Sequence, residues 1–168
     1  GTGTDVLDIN TTTAFTMVAA TVTGFETLDL IDGSAVTMLA SQLDQFTSLI
    51  GESDETITVA ADGVASTVDI SGVTGTQVDT TITIDNAGDS VKLGAGTDTV
   101  AVAATLTFTS ASVATGGTGA DTLDINTSTV VDFSAGTLEG FTVLAADGSE
   151  NHASAGVHHT YTEAQIDQ

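Results

Sequence analysis

Gly116-Gly117-Thr118-Gly119-Ala120-Asp121-Thr122-Leu123-Asp124 packs a turn, a charge and the start of a strand into nine residues. It fits the pattern G-G-x-G-x-D-x-U-x, where U is a large aliphatic residue. Glycines let a turn reach positive φ and direct its carbonyl oxygens inward. The aspartate closes the turn and offers a carboxylate. The aliphatic residue two positions later opens a strand and faces the core. Leu93-Gly94-Ala95-Gly96-Thr97-Asp98-Thr99-Val100 repeats the pattern with one leading glycine replaced. Gly1-Thr2-Gly3-Thr4-Asp5-Val6-Leu7 fits as far as it extends. Asn86-Ala87-Gly88-Asp89-Ser90-Val91 is a degenerate copy, and Gly51-Glu52-Ser53-Asp54-Glu55-Thr56-Ile57 a weaker one.

Around these turns run short alternating segments. Glu55 to Val59, Ser66 to Ile70, Thr81 to Ile84, Ser90 to Leu93, Thr99 to Val102, Thr105 to Phe108 and Thr122 to Ile125 each place an aliphatic residue at every second position. Such runs predict strands with one buried face. Ile57 to Ile82, Ile82 to Leu106 and Val100 to Leu123 suggest a recurrence of about 23 to 25 residues, one coil of a parallel β-helix. Proline is absent, so no strand loses a ladder donor. The expected fold is all-β, a right-handed parallel β-helix or β-solenoid with little helix. One helical turn is expected in Ala40 to Leu49, where Leu43, Phe46 and Leu49 recur at helical spacing. Thr160 to Glu163 has the spacing of a capping box.

A longer repeat overlies the short one. Gly1 to Asn10 matches Gly117 to Asn126, and Gly24-Phe25 matches Gly140-Phe141 at the same offset. Gln42-Leu43-Asp44-Gln45 resembles Gln165-Ile166-Asp167-Gln168 at a larger offset. The chain is therefore expected to be a single solenoid segment over 1–168. Residues 1–115 form one module and 116–168 open a second copy.

Composition narrows the function. There are 23 acidic residues against one Lys or Arg in a chain of 168, for a formal charge of −22. Neutralising nucleic-acid phosphates or anionic lipid needs cations, so both partners are disfavoured. The carboxylates repel one another unless a positive partner intervenes. Carboxylates with backbone carbonyls suit Ca²⁺. Asp98 and Asp121 lie about one coil apart and could flank one ion. Cysteine is absent, so no disulfide framework or thiolate zinc site is available. No segment is long and apolar enough to span a membrane. No signal peptide is visible, and the chain is expected to be a fragment or processed product.

These turns, and Val22-Thr23-Gly24-Phe25-Glu26-Thr27-Leu28-Asp29-Leu30 after the first of them, resemble the RTX (repeats-in-toxin) family, above all its S-layer and large-adhesin members. The resemblance implies calcium-dependent folding, type I secretion and an extracellular, cell-surface location. Carried over by position, it makes Asp5, Asp98 and Asp121 calcium ligands, with Asp89 added. Turn carbonyls would come from Gly94, Gly96 and their neighbours to Thr97, and from Gly117, Gly119 and their neighbours to Ala120. Long tandem runs of perfect nonapeptides are lacking here, so a few sites embedded in a less regular solenoid are expected.

Other constellations carry less. His158, His159 and Glu163, with His152 nearby, could hold a transition metal, but read as exposed loop residues. Thr56/Thr58, Thr81/Thr83 and Thr105/Thr107 could stack as an outward ladder, which ordinary strand pairing explains. No histidine sits in a nucleophile-elbow context, and one lysine makes no cationic cleft for an acidic sugar. Asp29/Asp32 reads as turn and strand edge. No enzyme is expected. The expected function is a calcium-dependent structural module of a surface array, fibre or matrix, self-associating end to end. The alternative is a carbohydrate- or ice-binding module of a large adhesin, with surface polysaccharide as a partner. An RTX tail of a secreted enzyme is a third class.

Overall fold

A computed structural model describes residues 2–51, 55–72, 74–75, 78–102, 107, 109, 113–125 and 131–146. Every strand pairing among them is parallel. The chain winds as a β-solenoid of about 6 turns. One sheet runs the length of the stack and takes a strand from each coil. Its strands are Phe15–Thr16, Ala35–Met38, Thr56–Val59, Asp79–Ile84, Thr99–Val102, Thr122–Ile125 and Val143–Ala146. A second sheet joins Val6–Ile9, Thr27–Leu30, Ser48–Ile50 and Thr74–Gly75. A third joins Thr67–Asp69, Ser90–Lys92, Val113–Thr115 and Thr137–Glu139. Ala95–Gly96 pairs with Thr118–Gly119 in a two-stranded ladder between the third sheet and the long one. No helix among the described residues is long and apolar enough to cross a membrane.

Alternation explains the core. Val100 and Val102, Leu123 and Ile125 are buried, while Thr99, Ala101, Thr122 and Asp124 between them are partly exposed. Met38, Val59, Ile82, Val100 and Leu123 stack in one inward file. Each layer is covered only by the coil above and below, so burial propagates along the stack. Where the described stack ends, core-phase residues are uncovered. Phe15 is 46% exposed although its partner Val36 is buried, and Leu144 is 55% exposed against buried Leu123.

The expected coil length needs correction in the middle. Ile82 does not lie over Ile57; it pairs with Val59 on one side and Val100 on the other. The six-residue strand Asp79–Ile84 is the cause. Its first four residues pair with Thr56–Val59 and its last four with Thr99–Val102. A slip of two preserves the in–out phase, so the core tolerates it. The same slip moves the threonine ladder. Thr56 faces Asp79, and the continuous outward file is Thr16, Thr37, Thr58, Thr81, Thr99 and Thr122. Thr107 instead bridges to Asp132, and Thr105 lies outside the described residues.

The helical turn is shorter than its spacing suggested. Helix covers Ala40–Leu43, and Leu49 is buried from the strand Ser48–Ile50. Gln42 holds the turn to the preceding coil. Its Nε2 donates to the carbonyls of Met17 and Ala20, each at 2.8 Å, while its Oε1 accepts the Leu39 N–H at 2.8 Å.

The long repeat is conserved in backbone conformation. Gly3 and Gly119 have φ of 136° and 149°, and Gly24 and Gly140 have 78° and 76°. Val6 pairs with Thr27 as Thr122 pairs with Val143. Yet Val6–Ile9 belongs to the second sheet and Thr122–Ile125 to the long one. The repeat therefore does not span a whole number of coils, and the same sequence is used on two different faces.

Candidate functional site

Two glycine turns lie directly on one another. Ala95 pairs with Thr118 and Gly96 with Gly119, and the Thr118 N–H donates to the Gly94 carbonyl at 2.8 Å. A Cβ on Gly117 would collide with the Gly94 carbonyl, and one on Gly119 with the Gly96 carbonyl. The absence of side chains is what allows the coils to close here. Gly96, at φ 136°, occupies the same position of the motif as Gly3 and Gly119.

Gly3 and Gly119 differ in their surroundings, which separates two costs. Open space surrounds a Cβ on Gly3, so Gly3→Ala meets only the conformational penalty of positive φ, about 1–3 kcal/mol. Gly119→Ala adds a backbone collision, expected to cost about 1–3 kcal/mol more. Urea unfolding of both variants in calcium measures the gap, and equal losses would mean that the close approach at Gly119 carries no strain.

Asp98 and Asp121 close these turns and point inward, in phase with Val100 and Leu123. Both are 0% exposed. The Asp98 Oδ1 accepts the Thr80 N–H and hydroxyl, each at 2.7 Å. Asp79 answers from the neighbouring coil, its Oδ1 accepting the Thr97 N–H at 2.9 Å. The two carboxylates thus clasp adjacent coils reciprocally. The Asp121 Oδ1 accepts the Asp98 N–H at 3.1 Å. The second oxygen of each, Oδ2, is buried without a hydrogen bond. Burial above all, with the charges of Asp121 and Asp79, pushes the Asp98 pKa up to about 6 against the opposing Thr80 bonds. The chain's single lysine, Lys92, is engaged elsewhere, 3.2 Å from Asp69. An ionised carboxylate buried with an unsatisfied oxygen is costly unless a proton or a cation joins it.

The donor chemistry fits a hard cation. Two carboxylates one coil apart supply only oxygen, the donor that a hard cation prefers. Among the described residues no three acidic, histidine or cysteine side chains converge, so backbone carbonyls and water must complete any ion's shell. The Gly94 carbonyl already accepts one N–H, and a carbonyl has a second lone pair to offer.

Asp89 and Asp5 are placed differently. The Asp89 Oδ1 accepts the Ser66 N–H at 2.9 Å, and its Oδ2 accepts those of Asp85 and Asn86, both at 3.0 Å. Burial raises its pKa while these three bonds oppose the rise. Its carboxylate staples two turns with both oxygens engaged. Asp5 lies in the first coil, and its own N–H donates to Glu26 Oε2 at 2.8 Å. The Asp5 carbonyl accepts the N–H groups of Glu26 and Thr27, as the Asp121 carbonyl accepts those of Thr142 and Val143. The structure thus brings Asp98 and Asp121 together with Gly94, Gly96, Gly117 and Gly119, while Asp5 lies in the first coil and Asp89 at a different corner, just before the strand Ser90–Lys92.

Sequence reading did not single out Asp79, Thr80 or Glu26 as inter-coil partners. It also passed over Glu55, 1% exposed and packed against Gly51. Glu55 was visible in principle, since it sits in phase with inward Ile57 and Val59. His152, His158, His159, Glu163 and Asp54 lie outside the described residues. Compared with protein-family models, curated proteins and solved structures, the chain matches none.

Proposed function

We propose that this chain is a calcium-dependent structural module of a secreted cell-surface protein. One observation carries the proposal: Asp98 and Asp121, stacked, fully buried and each with an orphaned oxygen, inside turns of a chain of charge −22. Ca²⁺ held by these carboxylates and neighbouring turn carbonyls would supply the missing positive charge. Its role is structural: it lets acidic coils stack without repulsion. The RTX-like turns and the repeated module support a place in an S-layer, fibre or adhesin stalk. Core-phase Phe15 and Leu144 are exposed where the described stack ends, and each offers an apolar layer on which a further coil can stack.

Calorimetric titration tests the placement of the ion. Asp121→Asn is expected to weaken calcium binding by at least ~10-fold, about 1.4 kcal/mol. Asp89→Asn is expected to lower stability while leaving calcium affinity nearly unchanged, because both its oxygens are already engaged by N–H donors. Light scattering of the same samples reports calcium-dependent stacking. Equal weakening by both substitutions, or no binding by the parent chain, would remove the basis for the proposal.

A further inference from the structure

A groove of about 440 Å³ opens over the glycine turns, where the third sheet meets the Ala95–Gly96 ladder. Its floor is nearly free of side chains, from Gly94, Ala95, Gly116 and Gly117, with Leu93 beside them. The floor cannot acquire side chains without loss of coil contact, since a Cβ on Gly116 would strike the Gly140 carbonyl as one on Gly117 strikes that of Gly94. Its rim is polar, carrying Ser71, Lys92, Thr115 and Thr118.

The rim is organised in advance. The Ser71 hydroxyl donates to Asp69 Oδ1 at 2.6 Å, and the Ser71 N–H donates to the same oxygen at 3.2 Å. The other oxygen, Oδ2, accepts from Lys92 Nζ at 3.2 Å. Ser71, Asp69 and Lys92 therefore form one hydrogen-bonded chain across two coils, and one of the three ammonium donors is used in it. The Ser71 hydroxyl above all, assisted by Lys92, holds the Asp69 carboxyl below its ordinary range. The Asp69 carboxylate stays charged at neutral pH.

We infer that this groove binds a neutral saccharide. The volume matches a small-molecule site. The rim offers donors and acceptors side by side, which vicinal hydroxyls need because each both donates and accepts. A flat backbone floor suits the C–H face of a sugar ring. Charge selects against acidic sugars. Lys92 is already countered by Asp69, and the chain carries −22 overall. An anion gains little at Lys92 and is repelled everywhere else. The groove shares the Gly94 and Gly117 backbone with the proposed calcium turns but uses neither buried aspartate side chain.

Amide NMR of the calcium-loaded chain tests it, with glucose and its neutral disaccharides as probes and glucuronate as the charged comparison. Saturable shifts at Gly94, Ala95, Gly116 and Gly117 are expected, with a Kd in the millimolar range, about −4 kcal/mol. Lys92→Met and Ser71→Ala should each weaken binding several-fold while the melting temperature stays close to that of the parent. Glucuronate should bind more weakly than glucose. No saturable shift for any neutral probe, binding undiminished in Lys92→Met, or tighter binding of glucuronate would overturn the inference.

Discussion

In a calcium chelator at neutral pH the chain is expected to lose most of its β-sheet circular dichroism, and millimolar calcium is expected to restore it. The reason lies in how small the margin of a solenoid is. Its core is aliphatic and one layer thin, and aromatics make up 4% of the sequence. Folding free energies are only about 5–15 kcal/mol for ordinary domains. Against that margin stand fully buried Asp98 and Asp121, each with an unsatisfied oxygen. An ion that binds only the folded state adds about 2.7 kcal/mol at a hundredfold excess over its Kd. That figure already contains the relief of burying two carboxylates, which is the source of the affinity. Spectra that coincide in chelator and in calcium would show that the stack is self-sufficient and that its buried acids are tolerated by other means.

The sequence announced the solenoid because two signals agreed. Alternation in Thr99 to Val102 and Thr122 to Ile125 specified a buried face, and the glycine turns before them specified where the chain must bend. The same phase that buries Val100 and Leu123 buries Asp98 and Asp121, two residues earlier. The central pair of the candidate site was therefore legible from spacing alone. Register was not. Asp79–Ile84 pairs with each neighbour through a different window, and a two-residue slip leaves alternation unchanged. Nothing in the pattern distinguishes Ile57 over Ile82 from Val59 over Ile82. Partners that depend on register were hidden for the same reason. Thr80 reaches Asp98 because of that slip, and Gln42 reaches the Met17 and Ala20 carbonyls one coil away. Asp89 shows what the motif does not reveal: its turn resembles those of Asp98 and Asp121, but three backbone N–H groups already engage both its oxygens.

Without calcium, acidification is expected to stabilise the fold; with calcium, that pH dependence is expected to be largely flattened. Burial raises the Asp98 pKa from 3.8 to about 6, so the folded chain holds this proton more tightly than the unfolded chain does. The resulting stability is fully present below the unfolded value and is lost as pH rises through about 6. A shift of this size corresponds to about 3 kcal/mol, on the order of 6–12 °C in melting temperature for a chain of this length. Asp89, raised in the same direction by burial, adds to the trend. Calcium flattens the dependence because it competes with the proton for the same carboxylate. Bound calcium keeps Asp98 ionised further below about pH 6, so less stability is left for a proton to add. General repulsion among the surface acids also falls on acidification, so Asp98→Asn is the necessary control. That variant retains the surface contribution but should lose much of the pH dependence between about 4 and 6. Thermal melts of both chains, in chelator and in calcium, from pH 4.5 to 7.5 decide the matter. A chelated parent whose stability is flat or rises toward pH 7.5 would show that the buried Asp98 carboxylate is not the group that controls the stack.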